Sequence, residues 1–208
     1  MSRFAASIRA NAPLLVLVAV FYVSVVGLSF RAGFTMPGPM DYLMGVRTLA
    51  LVVWALLSAL LLIDLIRVRP HSPVKHLRPW AERLRLADRA ILAAPALVSL
   101  VVMSVSFGAM KSAIPLLHAY RLDPILADLD VRIHGQDAWR VIHPLVGYPV
   151  VSALINQAYH GWFLALFAVA ITFMGMVEQP KLRLQYIIAH ALCWILIGTV
   201  AATLLASV

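Results

Sequence analysis

Residues 90–110 read AILAAPALVSLVVMSVSFGAM, twenty-one residues without a single charge. A helix crossing the hydrocarbon core of a bilayer needs about 20 mainly apolar residues, and this run supplies them. Working outward, four more segments have comparable character: 14–30, 48–66 with Asp64 one turn from its end, 159–177 and 187–208. Lipid offers no partner to a backbone N–H or C=O, so such runs are expected to be helices. None alternates over roughly ten residues as a barrel strand would. The expected fold is an all-α integral membrane protein, one polytopic domain over 1–208 with about five transmembrane helices.

Composition agrees. Of 208 residues, 62% are hydrophobic and 12% charged, whereas an ordinary soluble domain has about 25% charged residues. A soluble globule and a disordered chain are both excluded. Cys193 is the only cysteine and cannot pair within the chain. Arg3 and Arg9 precede the first apolar run as they would in a secretory signal. The run ends at Ser29-Phe30-Arg31 without a small-x-small cleavage site, so an uncleaved anchor is expected.

The net charge of +8 is unevenly distributed. With the N-terminus inside, the inner segments carry Arg3, Arg9, Arg67, Arg69, Lys75, Arg78, Arg83, Arg85, Arg89, Lys181 and Arg183, eleven in all. The outer segments carry six: Arg31, Arg47, Lys111, Arg121, Arg132 and Arg140. By the positive-inside rule the N-terminus is cytoplasmic and the C-terminus outside, in an inner (plasma) membrane. The basic charge is thereby assigned to topology, and no nucleic-acid partner is expected. The Arg67–Arg89 loop, with His71 and His76, lacks a carboxylate or thiol at ligand spacing, so no metal is expected there. It is read as a topology determinant on the inner leaflet, and Asp64 as a helix-end ion pair with Arg67.

The connection 111–149 is structured. Asp123-Pro124 reads as an N-cap followed by proline at the first helical position. Leu122, Ile125, Leu126, Leu129 and Ile133 recur at helical spacing up to Gly135. Asp137 is placed to cap a second short helix, carrying Trp139, Val141 and Ile142 and ending near Pro144. Both are expected to lie in the outer interface as a cap over 122–145. Near that mouth stands Lys111, where the third span ends. Ser152, Asn156 and His160 follow at i, i+4 and i+8 on one helix face. A polar stripe inside a membrane bundle is a functional-site hypothesis, although Asn156 and His160 equally suit hydrogen bonds between helices, and Lys111 equally suits snorkelling. Gly198, Ala202 and Ala206 share one face of the last span, where small residues admit another helix closely. His190 beside Cys193 lacks a third orienting group and is weak as a nucleophile site. Tyr159, Phe163 and Phe167 read as packing. No GxSxG, HExxH, P-loop or GxGxxG occurs, so the common hydrolase, zinc-protease and nucleotide signatures fail. No internal repeat points to a transporter.

Four strings in order carry a resemblance: Phe107-x-x-x-Lys111-x-x-Ile114-Pro115; Leu122-Asp123-Pro124 with Leu129-Asp130 and His134-Gly135; Tyr159-x-x-Trp162-Phe163; and Trp194-Ile195-x-x-Gly198-Thr199-x-x-Ala202-Thr203-Leu204. Over roughly 90–208 the chain resembles the N-terminal half of bacterial inositol phosphorylceramide synthase-like proteins, inositolphosphotransferases of the type-2 phosphatidic acid phosphatase superfamily. The resemblance implies transfer or hydrolysis of phospholipid headgroups at the non-cytoplasmic face, by a histidine nucleophile and a second histidine as acid/base, with neither metal nor cofactor. The family's motifs are a Lys/Arg-Pro motif, a Pro-Ser-Gly-His motif and a Ser-Arg-type motif ending in His and Asp. The chain lacks all three. No Ser-Gly-His occurs, no histidine is followed four residues later by Asp, and Arg78-Pro79 follows Lys75 at the wrong spacing and on the inner side. The resemblance therefore assigns no catalytic residue. Lys111 and Arg121 are left as candidates for holding a phosphate headgroup, and Asn156 and His160 as polar residues of the mouth. Two readings stay open. One is the N-terminal membrane portion of a lipid phosphotransferase, incomplete for catalysis, whose missing motifs or packing helix would come from a downstream chain against Gly198, Ala202 and Ala206. The other is a non-catalytic scaffold or lipid-binding protein; a small transporter is a third, lesser alternative. Membrane lipids are the partners in either of the first two.

Overall fold

The computed structural model describes residues 2–120 and 122–205. It is all-helical, 86% helix with no strand among the described residues, and five helices are long and apolar enough to cross a membrane. A short α1 (Arg3–Ala10) leads into α2 (Ala12–Ala32). α3 (Pro39–Val68) returns, the short α4 (Pro73–Arg83) connects, and α5 (Leu86–Leu117) runs back. α6 (Leu122–His134) and α7 (Ala138–Val146) precede α8 (Pro149–Met174) and α9 (Pro180–Leu192). The last span continues from α9 as a π-helix, Cys193–Ala201, and a final α-turn, Ala202–Leu204.

Proline sets the starts. α2, α3, α4, α8 and α9 each carry one in the first turn, where the missing N–H has no intrahelical acceptor to lose and φ is already helical. Asp41 completes the start of α3 by accepting from the Gly38 N–H at 2.7 Å. Gly33 and Gly135 end α2 and α6 at φ 73° and 75°, a left-handed geometry open to glycine without steric cost.

α5 is the central element, with α1, α2, α3, α8 and the last span packed around it. Leu14, Val18, Phe21 and Val25 form one buried stripe of α2 against Ala93, Ala96, Leu100 and Met103 of α5. The outer surfaces of α3 and α8 are apolar and exposed, Trp54 at 68%. Soluble proteins rarely tolerate exposed apolar patches beyond a few hundred Å², so the molecule has the surface of a chain solvated by hydrocarbon.

Several expected boundaries move. The five helices all extend beyond the apolar runs at one end or both; the largest shift of a single end is in the fourth, which begins at Pro149 and not Tyr159 and stops at Met174, with Gly175 as its C-cap, before Val177. The fifth begins at Pro180, seven residues before Ile187. Asp123 lies inside the first turn of α6, not ahead of it. α7 passes through Pro144 and ends at Val146, because Gly147 donates to the His143 carbonyl at 2.7 Å and closes the last turn. α6 and α7 pack on one another and α7 on α8, and neither helix buries a side chain.

Candidate functional site

Lys111 is exposed on α5, and Ser152, Asn156 and His160 are exposed on the first half of α8. His160 Nδ1 lies 2.7 Å from the Asn156 carbonyl of its own helix, and Ser152 Oγ donates to the Val146 carbonyl at 2.5 Å. His160 is thus bonded within α8 and Ser152 to the end of α7. Lys111 makes no hydrogen bond or ion pair with them, so no cluster forms. Arg121 lies outside the described residues. A cavity of about 520 Å³ does open near this end of α5, lined by Thr35, Asp41 and Ser112 together with Phe34, Met36 and Val105. Lys111 and His160 do not line it.

The last span differs from expectation in its packing. An added Cβ on Gly198 would sit 2.8 Å from a ring carbon of Phe107, so α5 of the same chain already occupies this glycine. Ala202 is half-buried, and Ala206 lies outside the described residues. Trp194 Nε1 donates to His190 Nε2 at 3.2 Å, and Tyr186 stacks on Phe173 at 4.0 Å between ring centroids. His190 and Cys193 thus belong to an aromatic groove between α8 and the last span, lined also by Trp162, Phe163 and Trp194. The thiol of Cys193 has no hydrogen-bond partner among the described residues.

The polar residues that the fold does converge lie at the opposite end. Pro95 has no N–H for the Ile91 carbonyl, and its ring crowds that oxygen. Ser7 Oγ donates to Ile91 O at 2.7 Å in its place. Asn11 Nδ2 donates to Leu92 O at 3.0 Å and to Ser7 O at 2.9 Å. Arg183, only 2% exposed, donates from Nε to the Met174 carbonyl at 2.9 Å, from Nη2 to Asn11 Oδ1, and more weakly to Leu92 O at 3.5 Å. No carboxylate among the described residues pairs with it. Its charge rests on oriented carbonyl dipoles, including the last turn of α8, where the helix dipole is negative. Next to this knot Arg89 donates to Leu84 O, to Gly175 O at 3.2 Å and to Glu178 at 2.5 Å. Two arginines therefore fasten the α8–α9 turn to the start of α5.

A second cluster corrects the ion pair expected at the end of the second span. Asp64 meets His76 Nε2 at 2.5 Å and Arg83 at 3.5 Å, not Arg67. The α3–α4 turn folds back and brings the carboxylate to residues 12 and 19 positions on. Neither cluster stands out in the sequence. Ser7 and Asn11 are a spacing of four apart before an apolar run, and a proline sits inside the apolar 90–110 segment; those are the available signals. The partners themselves are up to 172 positions apart. Among the described residues no group of three His, Cys, Asp or Glu could hold a metal ion.

If Ser7 substitutes for the helical donor that Pro95 lacks, Ser7→Ala is expected to cost about 1–2 kcal/mol by leaving Ile91 O unsatisfied. The same change in a Pro95→Ala background, where a peptide N–H is restored, is expected to cost under about half as much. Unfolding in mixed micelles measures both, and equal costs in the two backgrounds would refute the substitution.

Compared with family models, with curated proteins and with solved structures, the chain matches none.

Proposed function

We propose that the chain is an integral plasma-membrane protein, N-terminus cytoplasmic and C-terminus outside, that holds a phospholipid in its bundle with the headgroup toward the outer face. The observation that carries the lipid reading is a lateral groove of about 420 Å³ between α2, α5 and the last span, lined by Leu17, Phe21, Leu28, Met110, Ile195 and Val200. Its three hydroxyls, Ser24, Thr199 and Thr203, each donate to a carbonyl of their own helix, so the groove presents hydrocarbon. From Leu17 to Leu28 it spans about 16 Å at 1.5 Å per residue, close to half of a core about 30 Å thick. Such a groove suits the acyl chain of one leaflet. Lys111, directly after the groove residue Met110, is the proposed headgroup contact, with Arg121 as a second cation of that connection and Asn156 and His160 as further polar residues of that face. The orientation rests on charge, eleven Lys/Arg against four Asp/Glu at the end holding α1 and α4, and six against five at the other.

The resemblance to inositolphosphotransferase-like proteins supports a second reading: headgroup transfer when another chain supplies the histidine motifs. Mass spectrometry of lipid co-purified with the whole chain, and headgroup transfer from phosphatidylinositol in nanodiscs, test both. Expected are one retained phospholipid, its loss in Val200→Trp, and no turnover by the chain alone. Equal lipid retention by Val200→Trp would overturn the groove assignment, and turnover by the chain alone would require a nucleophile absent from both readings.

A further inference from the structure

We propose that the α3–α4 hairpin is a docking surface for anionic phospholipid headgroups in the leaflet at the α1 end of the bundle. The proposal rests on the integral-membrane reading. At least five of the eleven cations at this end form ion pairs: Arg3 and Arg85 on Asp88, Arg78 on Glu82, Arg83 on Asp64, Arg89 on Glu178. Lys181 on α9 forms no such pair among the described residues, nor do Arg67, Arg69 and Lys75. The last three are all exposed. They stand on one hairpin, where a charge excess seeks anions from outside the chain.

The way α4 is held identifies the source of those anions. Trp80 is buried and His76 is tied to Asp64, which fixes one side of the helix against the bundle. The rest of its surface exposes Val74, at 77%, and Leu77 together with the basic Lys75 and Arg78. Exposed apolar residues flanked by basic ones on a short helix match a membrane interface: the apolar groups enter the acyl boundary and the cations reach the headgroups. A long lysine or arginine accommodates both requirements, with its stem in the apolar layer and its charge at the phosphate. An acidic soluble protein or a nucleic acid would match the charge and leave Val74 and Leu77 unexplained.

The test uses the full chain with dioleoyl phosphatidylglycerol and dioleoyl phosphatidylcholine titrated in detergent, bound lipid counted by native mass spectrometry. The variant combines Arg67→Gln, Arg69→Asn and Lys75→Gln; asparagine is chosen at 69 because the backbone there is left-handed, φ 46°. Each cation near an anionic surface is worth about a fivefold change in affinity, so the triple variant is expected to lose phosphatidylglycerol affinity by about tenfold or more. Phosphatidylcholine binding and the unfolding midpoint are expected to stay unchanged. Arg31→Gln with Arg132→Gln, at the other end, is expected to leave both lipids unaffected. Unchanged phosphatidylglycerol affinity in the triple variant, or equal loss in the Arg31/Arg132 variant, overturns the surface. Capture of polyglutamate in place of phosphatidylglycerol overturns it in favour of an acidic protein. Alkaline carbonate extraction separates the two levels: release of the chain from membranes would remove the integral-membrane reading itself, whereas retention without lipid preference removes only this surface.

Discussion

Replacing Arg183 by leucine is expected to be the most damaging single substitution, lowering stability by about 3–5 kcal/mol. Each buried acceptor left without its donor costs about 1–3 kcal/mol, and more than one stays behind unsatisfied. Here those are the Met174 carbonyl and the Asn11 side chain, with Leu92 O keeping only its bond from Asn11. Arg183→Lys is expected to restore less than half of the loss. A guanidinium spreads its donors in a planar fork, and Arg183 uses Nε and Nη2 in two directions; an ammonium is a single point on a flexible stem. Asn11→Leu leaves the guanidinium buried with two carbonyls and is expected to cost about 2–3 kcal/mol. Reversible unfolding of the chain in mixed micelles measures all three, and the double variant gives the coupling. Helix–helix hydrogen bonds in a membrane protein average about 0.6 kcal/mol with a maximum near 1.7. A charge-assisted bond at full burial should fall at the upper end. An Arg183→Leu protein within about 1 kcal/mol of the parent would show that the knot contributes little to stability.

The second large effect is expected at Gly45. α3 buries no residue in its own right, so its attachment depends on how closely its backbone approaches α5. A Cβ on Gly45 would lie 2.9 Å from Val101 Cγ1 and 3.4 Å from Val105 Cγ2. Neither valine can turn away easily, since branching at Cβ restricts χ1. Gly45→Leu must therefore push α3 off α5, an overpacking cost of about 1–3 kcal/mol. Gly161 is the control. It lies inside α8, where an added Cβ would meet nothing within 4 Å. Gly161→Leu is therefore expected to be neutral or mildly stabilising through the better helix propensity of leucine. Thermal unfolding in nanodiscs distinguishes the two, and similar midpoints for both variants would exclude a close α3–α5 approach. Since small residues let helices pack closely in lipid, the same logic extends to Gly198 against Phe107, where the contact distance is 2.8 Å.

The fourth helix shows where hydropathy was sufficient and where it was not. Ser152, Asn156 and Gln157 dilute its first ten residues, so the apolar run starts at Tyr159. The helix itself starts at Pro149 because a proline can open a helix whatever the polarity that follows. α1 and α4 are too short and too polar to register as spans, and each is held by tertiary contacts: Ser7 on the Ile91 carbonyl, Trp80 and His76 on the bundle. The π-helix over Cys193–Ala201 has no marker in an unbroken apolar run. Its register is visible only in the fold, where Thr199 Oγ1 reaches the Trp194 carbonyl five residues back.

The residues proposed from sequence for the outer mouth were grouped by helical spacing alone. Spacing places Ser152, Asn156 and His160 on one face, and they are on one face, but it does not say what that face meets. The side chains that do converge, Ser7, Asn11 and Arg183, come from segments at opposite ends of the chain.

Sequence by itself determined the helical class and the five apolar runs, because lipid and backbone hydrogen bonding leave a run of twenty apolar residues almost no other conformation. It also determined the charge imbalance between the two ends. Which polar groups meet was decided only by tertiary structure. A proline frees one carbonyl of α5; the helices that can reach it and its neighbour are chosen by packing. A buried arginine then settles where carbonyl dipoles can hold its charge.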